Sequence, residues 1–254
     1  MRAAIITALN GPDGVVIRDE PEPEPAAGQV RIDVHSAGVV FPDVLQTRGG
    51  YQLRPELPFT PGWEVAGVVR EDSGGFRAGD RVAAMPVIGG FAETVAVSSE
   101  MVFPLPDDVG FDKGAALPLN YLTGHFALMR RARLLAGETV LVQGAAGGVG
   151  TAACQLAAAY GARVIAVVST EGRLIVIGFT GREIPTVKVN RLLLTNTTVM
   201  GAASEEFWHL NPGYAAQQWD ELMPLIRSGA IDPPIGEVFS LEETASALRA
   251  MDER

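Results

Sequence analysis

The residues with the clearest chemical purpose form the run Thr139-Val-Leu-Val-Gln-Gly144-Ala-Ala-Gly147-Gly148-Val-Gly150. An apolar strand that runs into a glycine-rich turn and then opens a helix is the context in which a dinucleotide pyrophosphate is held. Gly147 lets the backbone approach the phosphates, and Gly150 lets helix and strand pack closely. The start of the helix offers unpaired N–H groups and a positive dipole end to the same charge. Ala146, Gly147, Gly148, Val149 and Gly150 are therefore the expected phosphate-binding residues. Ala145 stands where the usual pattern has its first glycine, and a tight glycine turn with no ligand is the rival reading.

The choice of dinucleotide is read one strand later. Sites for NAD place an acid about 20 residues after the glycines, where it holds the ribose hydroxyls. Here the strand ends Val167-Val168-Ser169-Thr170, with no carboxylate at its tip. Ser169 and Thr170 can donate hydrogen bonds to a 2′-phosphate, so NADP(H) is the expected cofactor. Glu171 falls close to the spacing of the acid and is the competing candidate.

These residues need two kinds of scaffold. From Met1 to about Pro118 the chain alternates short β-rich segments with Gly/Pro punctuation. The expected strands are Ala3–Thr7, Val15–Asp19, Gln29–Gly38, Val65–Glu71, Arg81–Pro86 and Glu93–Ser98. The run Glu20-Pro-Glu-Pro-Glu-Pro25 cannot pair in a sheet and reads as an exposed extended linker. From near Gly114 the pattern changes. Asp112–Arg131 is apolar at helical spacing, with Pro118 as a break or a start, and Thr139–Gln143 is a continuous apolar strand. A helix Val149–Tyr160 ends at Gly161. Arg163–Thr170, Leu174–Phe179 and Thr198–Ala202 are strands of the type buried in parallel sheets. Helices Ala215–Ser228 and Leu241–Met251 complete the chain.

Composition narrows the function. A formal net charge of −10 argues against nucleic acid as a partner. No apolar run approaches the roughly 20 residues of a membrane span, so no membrane association is expected. One cysteine, Cys154, rules out a disulfide framework and a cysteine-based zinc site, and a cytoplasmic protein is expected.

The order of motifs resembles the medium-chain dehydrogenase/reductase superfamily. Gly144–Gly161 is similar to its cofactor turn. Phe41-Pro-Asp-Val-Leu, Arg48-Gly-Gly-Tyr51, Leu57-Pro-Phe-Thr-Pro-Gly-Trp-Glu64-Val-Ala-Gly67 and Gly79-Asp-Arg-Val82 are similar to its catalytic domain. The resemblance implies an α/β chain with a GroES-like β-rich domain over 1–120 and 204–254, and a Rossmann-type NADP(H) domain over 121–203. It also places Val40 and Trp63 where zinc-dependent members have Cys and His. Neither side chain can ligate zinc, so no metal site is expected and the zinc-free quinone oxidoreductase branch is the nearest. Quinone oxidoreductases commonly carry Asn at the position of Val40. In that branch Tyr51 would line the substrate pocket. Asn120, Tyr121 and Thr123 would lie near the nicotinamide, as would the strand end Gly178-Phe179.

The implied reaction is hydride transfer from NADPH to a quinone or an α,β-unsaturated carbonyl, both small-molecule substrates. A non-catalytic NADPH-binding member and a reductase of enoyl thioesters are the alternatives. The resemblance further implies a homodimer, with Thr198–Ala202 and the preceding Arg191–Asn196 at the interface. His35, His125 and His209 are expected to be structural.

One junction departs from the family. Two βα units, roughly 60 residues, would lie between Thr170 and Glu171, where this chain has none. Parallel neighbours need a crossover of a dozen or more residues, so a link this short allows only a hairpin. A segment of that size belongs at this point in the expected protein; a genuine deletion is the other reading.

Overall fold

The computed structural model describes residues 1–164, 172–178, 186 and 189–253, setting aside the side chain of Arg191. The chain divides into two compact units, Met1–Leu119 with Pro233–Arg254, and Asn120–Asp232.

The first unit holds seven strands: β1 Arg2–Ile6, β2 Val15–Asp19, β3 Gln29–Gly38, β4 Glu64–Val69, β5 Arg81–Ala84, β6 Thr94–Ser98 and β7 Val102–Pro104. β1 and β2 form an antiparallel pair; the other five make an antiparallel sheet in the order β6-β3-β4-β5-β7. Six of the seven were expected to within two residues. β7, three residues long, was not. Alternation along β3 sends Val30 and Ile32 inward, where they meet Val65, Val69, Val82, Ala84, Val95, Val97 and Val102. The register of β3 against β4 shifts between Val34 and Ser36, a bulge that leaves His35 outside the core, stacked on Phe111.

Two short helices also belong to this unit, α1 Phe41–Thr47 and α2 Phe111–Ala115. The next helix, α3 Pro118–His125, starts on the proline and crosses the boundary between the units. It continues into a π turn, Phe126–Arg131. The last helix of the chain, Thr244–Asp252, packs Leu248 against Ala4, Val44 and Phe91 of the first unit. Arg48 with Asp252 and Arg249 with Asp13 pair across the same contact.

The second unit carries α4 Gly148–Ala159, α5 Val189–Thr195, α6 Ser204–Leu210 and α7 Tyr214–Arg227, which makes the terminal helix α8. Its strands are β8 Thr139–Val140, β9 Arg163–Val164, β10 Arg173–Val176 and β11 Thr198–Gly201. Gly161 ends α4 at φ 76°, donating to Ala158, while Ala162 donates to Ala157.

Two expectations are corrected here. The stretch 204–232 belongs to the second unit, because Gln218 of α7 is buried against Leu122 and Trp208. The parallel strands are not deeply buried either. Among the described residues β8 pairs with β9 and β10 with β11 and neither has a second neighbour, and Val164, Leu174, Ile177 and Val199 are exposed. β10 runs parallel to β11. The described residues on either side of 165–171 form no ladder with each other.

Candidate functional site

The glycine turn is built as its spacing implies. Gly144 takes φ 67°, and its carbonyl accepts from the Gly147 N–H at 2.9 Å. The Gly147 carbonyl then accepts from Thr151 at 2.8 Å as α4 begins, and the Thr151 hydroxyl returns to the Ala145 carbonyl. The three glycines at the helix start have different reasons to be glycine. A Cβ on Gly150 would sit 2.0 Å from the Gly144 oxygen, so the turn folds back on the helix only without one. A Cβ on Gly148 would lie 2.6 Å from Asn120 Oδ1, so the Asn120 side chain rests directly on the first turn of α4. A Cβ on Gly147 would meet nothing closer than ordinary contact, at a φ of −80° that any residue adopts. Among the described residues nothing demands glycine there. An approach from outside does explain it, and the open, N–H-rich start of a twelve-residue helix fits a phosphate group.

Residues of α3 are tied to this turn. Besides Asn120 on Gly148, the Tyr121 hydroxyl donates to Gln155 Oε1 of α4 at 2.7 Å. Burial pushes the Tyr121 phenol well above its usual range. Gln155 in turn exchanges hydrogen bonds with the Asp232 backbone at 2.7 and 2.8 Å. Thr123, also buried, shares a hydrogen bond with Ser204 at 3.3 Å. The structure thus gathers Asn120, Tyr121 and Thr123 with Gly147, Gly148 and Gly150 in one unit. No described residue comes within 4 Å of a Cβ added at Gly178. Ser169, Thr170, Glu171 and Phe179 lie outside the described residues.

The first unit holds the second group. Tyr51 is partly buried and meets Trp63 edge-on, ring centres 5.2 Å apart. Trp63 is fully buried, and its indole N–H donates to Gln46 Oε1 at 3.1 Å. Val40, also buried, starts α1 with its N–H on Asp43 Oδ2 at 2.9 Å, while Asp43 Oδ1 accepts from Gly62 at 3.0 Å. Glu64 accepts from the Leu119 N–H at 2.8 Å. Both carboxyls are completely buried. Burial raises Asp43 to about 7 and Glu64 to about 8, and the backbone donors only partly offset it. Asp43 thus closes the start of α1 and holds the loop at Gly62, and Glu64 holds the start of α3. Among the described residues no three His, Cys, Asp or Glu side chains gather to hold a metal ion, and no helix is long and apolar enough to cross a membrane.

Sequence reading passed over two glutamines. Gln46 sits among Val44, Leu45 and Thr47, and Gln218 among apolar neighbours of α7. Each accepts from a buried tryptophan N–H. A polar side chain on an apolar helix face, with a tryptophan elsewhere to match, was the available signal. Of the histidines, His125 is buried and fully bonded, while His35 and His209 are exposed.

Residues 26–107 match the family model of the alcohol dehydrogenase GroES-like domain, and residues 114–254 match that of the zinc-binding dehydrogenase. The chain is 32% identical over 315 aligned positions to quinone oxidoreductase-like protein 2 of Bos taurus, covering 100% of this chain and 89% of that protein. It is 41% identical over 183 residues to the quinone oxidoreductase of Homo sapiens, covering 70% of this chain and 56% of that protein. Among solved structures, the quinone oxidoreductase of Thermus thermophilus, studied alone and in complex with NADPH, shares 31% identity at a TM-score of 0.84, covering 100% of this chain and 96% of that one. A probable oxidoreductase from Mycobacterium abscessus shares 37% at 0.89, covering 100% and 95%.

The bovine alignment is longer than this chain, 315 positions against 254 residues, so roughly sixty positions of the relative face no residue here. That is about the size of two βα units. With a GroES-like domain followed by a Rossmann-like dehydrogenase domain, and with these relatives along its length, the chain belongs to the medium-chain dehydrogenase/reductase superfamily, in its quinone oxidoreductase branch.

Proposed function

We propose that this oxidoreductase transfers hydride from NADPH to a quinone or an α,β-unsaturated carbonyl without zinc. The observation that carries the reading is Gly147, a glycine that no neighbour among the described residues requires, at the open start of α4. When bound, the reduced nicotinamide supplies two electrons and a proton as hydride, and the substrate takes its second proton from water or a hydroxyl. The residues of this chain bind and orient. Ala146 to Gly150 hold the pyrophosphate through backbone N–H groups and the helix dipole. Asn120 and Thr123 stand on the nicotinamide side. Tyr51, braced by Trp63, lines the substrate side. Gly178 and Phe179 would border the cofactor, and Ser169 and Thr170 would hold the 2′-phosphate.

Zinc independence rests on Val40 and Trp63, two buried side chains that offer no ligand atom where zinc-dependent members place Cys and His. A homodimer closed through Thr198–Ala202 belongs to the same reading. It would cover Val189, Leu193 and Leu194 of α5, each at least three-quarters exposed. The net charge and lone cysteine support a cytoplasmic setting.

The test is NADPH oxidation by the purified chain with 1,4-naphthoquinone, an enone and an enoyl thioester, with elemental analysis for zinc alongside. Quinone- or enone-dependent oxidation without stoichiometric zinc is expected. Turnover of the thioester alone would move the reading to enoyl reduction, and cofactor binding without turnover of any of the three would make it a binding protein.

A further inference from the structure

Gln218 is a buried side chain of α7 with every hydrogen-bonding atom engaged. Trp208 Nε1 donates to its Oε1 at 2.6 Å. An indole N–H can only donate, so the amide oxygen is fixed on that side and Nε2 must face the other way. Nε2 carries two protons and meets two acceptors, the Leu122 carbonyl at 3.0 Å and His125 Nδ1 at 3.1 Å. His125 Nδ1 therefore accepts, and the ring keeps its proton on Nε2. That proton points at the Tyr160 hydroxyl, 3.2 Å away at the end of α4, and at Glu221 of α7, 3.1 Å away.

A second proton on Nδ1 would set an N–H against an amide NH2. Relieving that clash means turning Gln218 over, which breaks its bonds to Trp208 and to Leu122. Burial works in the same direction and holds His125 below the ordinary imidazole range, against the pull of Glu221. Both acceptors belong to the last turn of α3, just before the π turn at Phe126. The same helix carries Asn120 and Thr123. Its outer end is thus gripped from α7, while Asn120 rests on Gly148 and Thr123 on Ser204.

We infer that Gln218 is a positioning residue: with Trp208 behind it and a neutral, Nε2-protonated His125 ahead of it, it fixes the turn of α3 that sets Thr123 and Asn120 against the nicotinamide. This rests on the functional reading above. It acts through α3 and touches no reacting atom.

Two variants of the full chain test it. Gln218→Met removes the grip on Leu122 and His125. Gln218→Glu keeps an acceptor for Trp208 but offers His125 an acceptor as well, so the ring takes a second proton. In either variant kcat for NADPH-dependent quinone reduction falls about tenfold or more, while the NADPH dissociation constant moves less than about threefold, because the grip on the phosphates is untouched. Nitrogen-15 spectra of His125 show a neutral Nε2–H ring in the unmodified protein at pH 7 and an imidazolium in Gln218→Glu. The kcat of the unmodified protein declines on acidification below the ordinary histidine range.

Unchanged kcat in either folded variant would overturn the positioning role. A cationic or Nδ1-protonated His125 in the unmodified protein would overturn the arrangement itself. If the unmodified protein binds NADPH and reduces no quinone, the functional reading fails separately. The Thr123 amide resonance of the NADPH complex then decides: a shift in both variants upholds the positioning, and no shift ends it.

Discussion

Val65 on β4 and Val140 on β8 have similar sequence surroundings, yet only the first is fully buried. β4 has a hydrogen-bonded neighbour on each side, β3 and β5, and a cluster of valines beneath it. Among the described residues β8 has one neighbour, β9, over two residue pairs. The difference lies in the partners, not in the strands. The five antiparallel strands, in the order β6-β3-β4-β5-β7, find their partners among one another within the first unit. A parallel strand depends on partners delivered by crossovers, and roughly sixty positions of the bovine relative have no counterpart here. Apolar residues of the two parallel pairs, Val164, Leu174 and Val199 among them, are exposed.

Hydrogen exchange should show this contrast most strongly. Amides of β3 and β4 should exchange only on global opening of their unit, and those of β8 and β10 about a thousandfold faster or more. Equal protection in the two sheets would mean that β8 and β10 have partners beyond those described. Mass measurement of the intact protein separates a chain of 254 residues from one that carries the additional segment.

Next in size is Gly150→Ala. Its Cβ would lie 2.0 Å from the Gly144 oxygen, and overpacking of this kind costs about 1–3 kcal/mol. Thermal unfolding of the second unit should shift down and the first should not move. Gly147→Ala should leave both transitions in place, and a matching loss there would remove the distinction between the two glycines.

The structure could be read unevenly from the sequence for the same reason that the units differ. β2 and β3 were legible to the residue, because a period of two with Gly/Pro punctuation is local information. The turn at Gly144–Gly150 was legible because its backbone bonds and the close approach of Gly150 to Gly144 lie within seven residues, while the contact of Gly148 with Asn120 does not. The membership of 204–232 was not, since it depends on Gln218 meeting Leu122 and His125, nearly a hundred residues earlier. The burial of Arg163–Val164 and Leu174 was misjudged, because an apolar run reports what a strand needs and not what it finds.

A smaller effect sets the two units against each other in pH. Asp43 and Glu64 of the first unit have folded values raised to about 7 and about 8. Their contribution is complete below the ordinary carboxylate range and is lost as pH rises towards 8. His125 of the second unit is shifted down, so its contribution is complete above the ordinary histidine value and is lost on acidification below it. Melting at pH 5 and pH 8 should therefore move the two transitions in opposite directions. Glu64→Gln, which can still accept from Leu119, should flatten the response of the first unit alone. A first unit that is more stable at pH 8 than at pH 5 would contradict the burial of these acids.

Everything proposed for the reaction depends on the Gly144–Gly150 turn holding the phosphates of NADPH. A fluorescence titration of NADPH and NADH against the unmodified chain and Gly147→Val examines that claim directly. The variant should fold, since a Cβ at this position meets only ordinary contacts, and should weaken NADPH steeply by occupying the approach to the backbone. Unmodified protein should prefer NADPH at least about tenfold, because a charge-assisted hydrogen bond contributes ~1.5–3 kcal/mol and both Ser169 and Thr170 can donate one. Tighter binding of NADH would promote Glu171 to the ribose-binding acid. Unchanged NADPH affinity in Gly147→Val would contradict the claim itself and leave the turn a structural one.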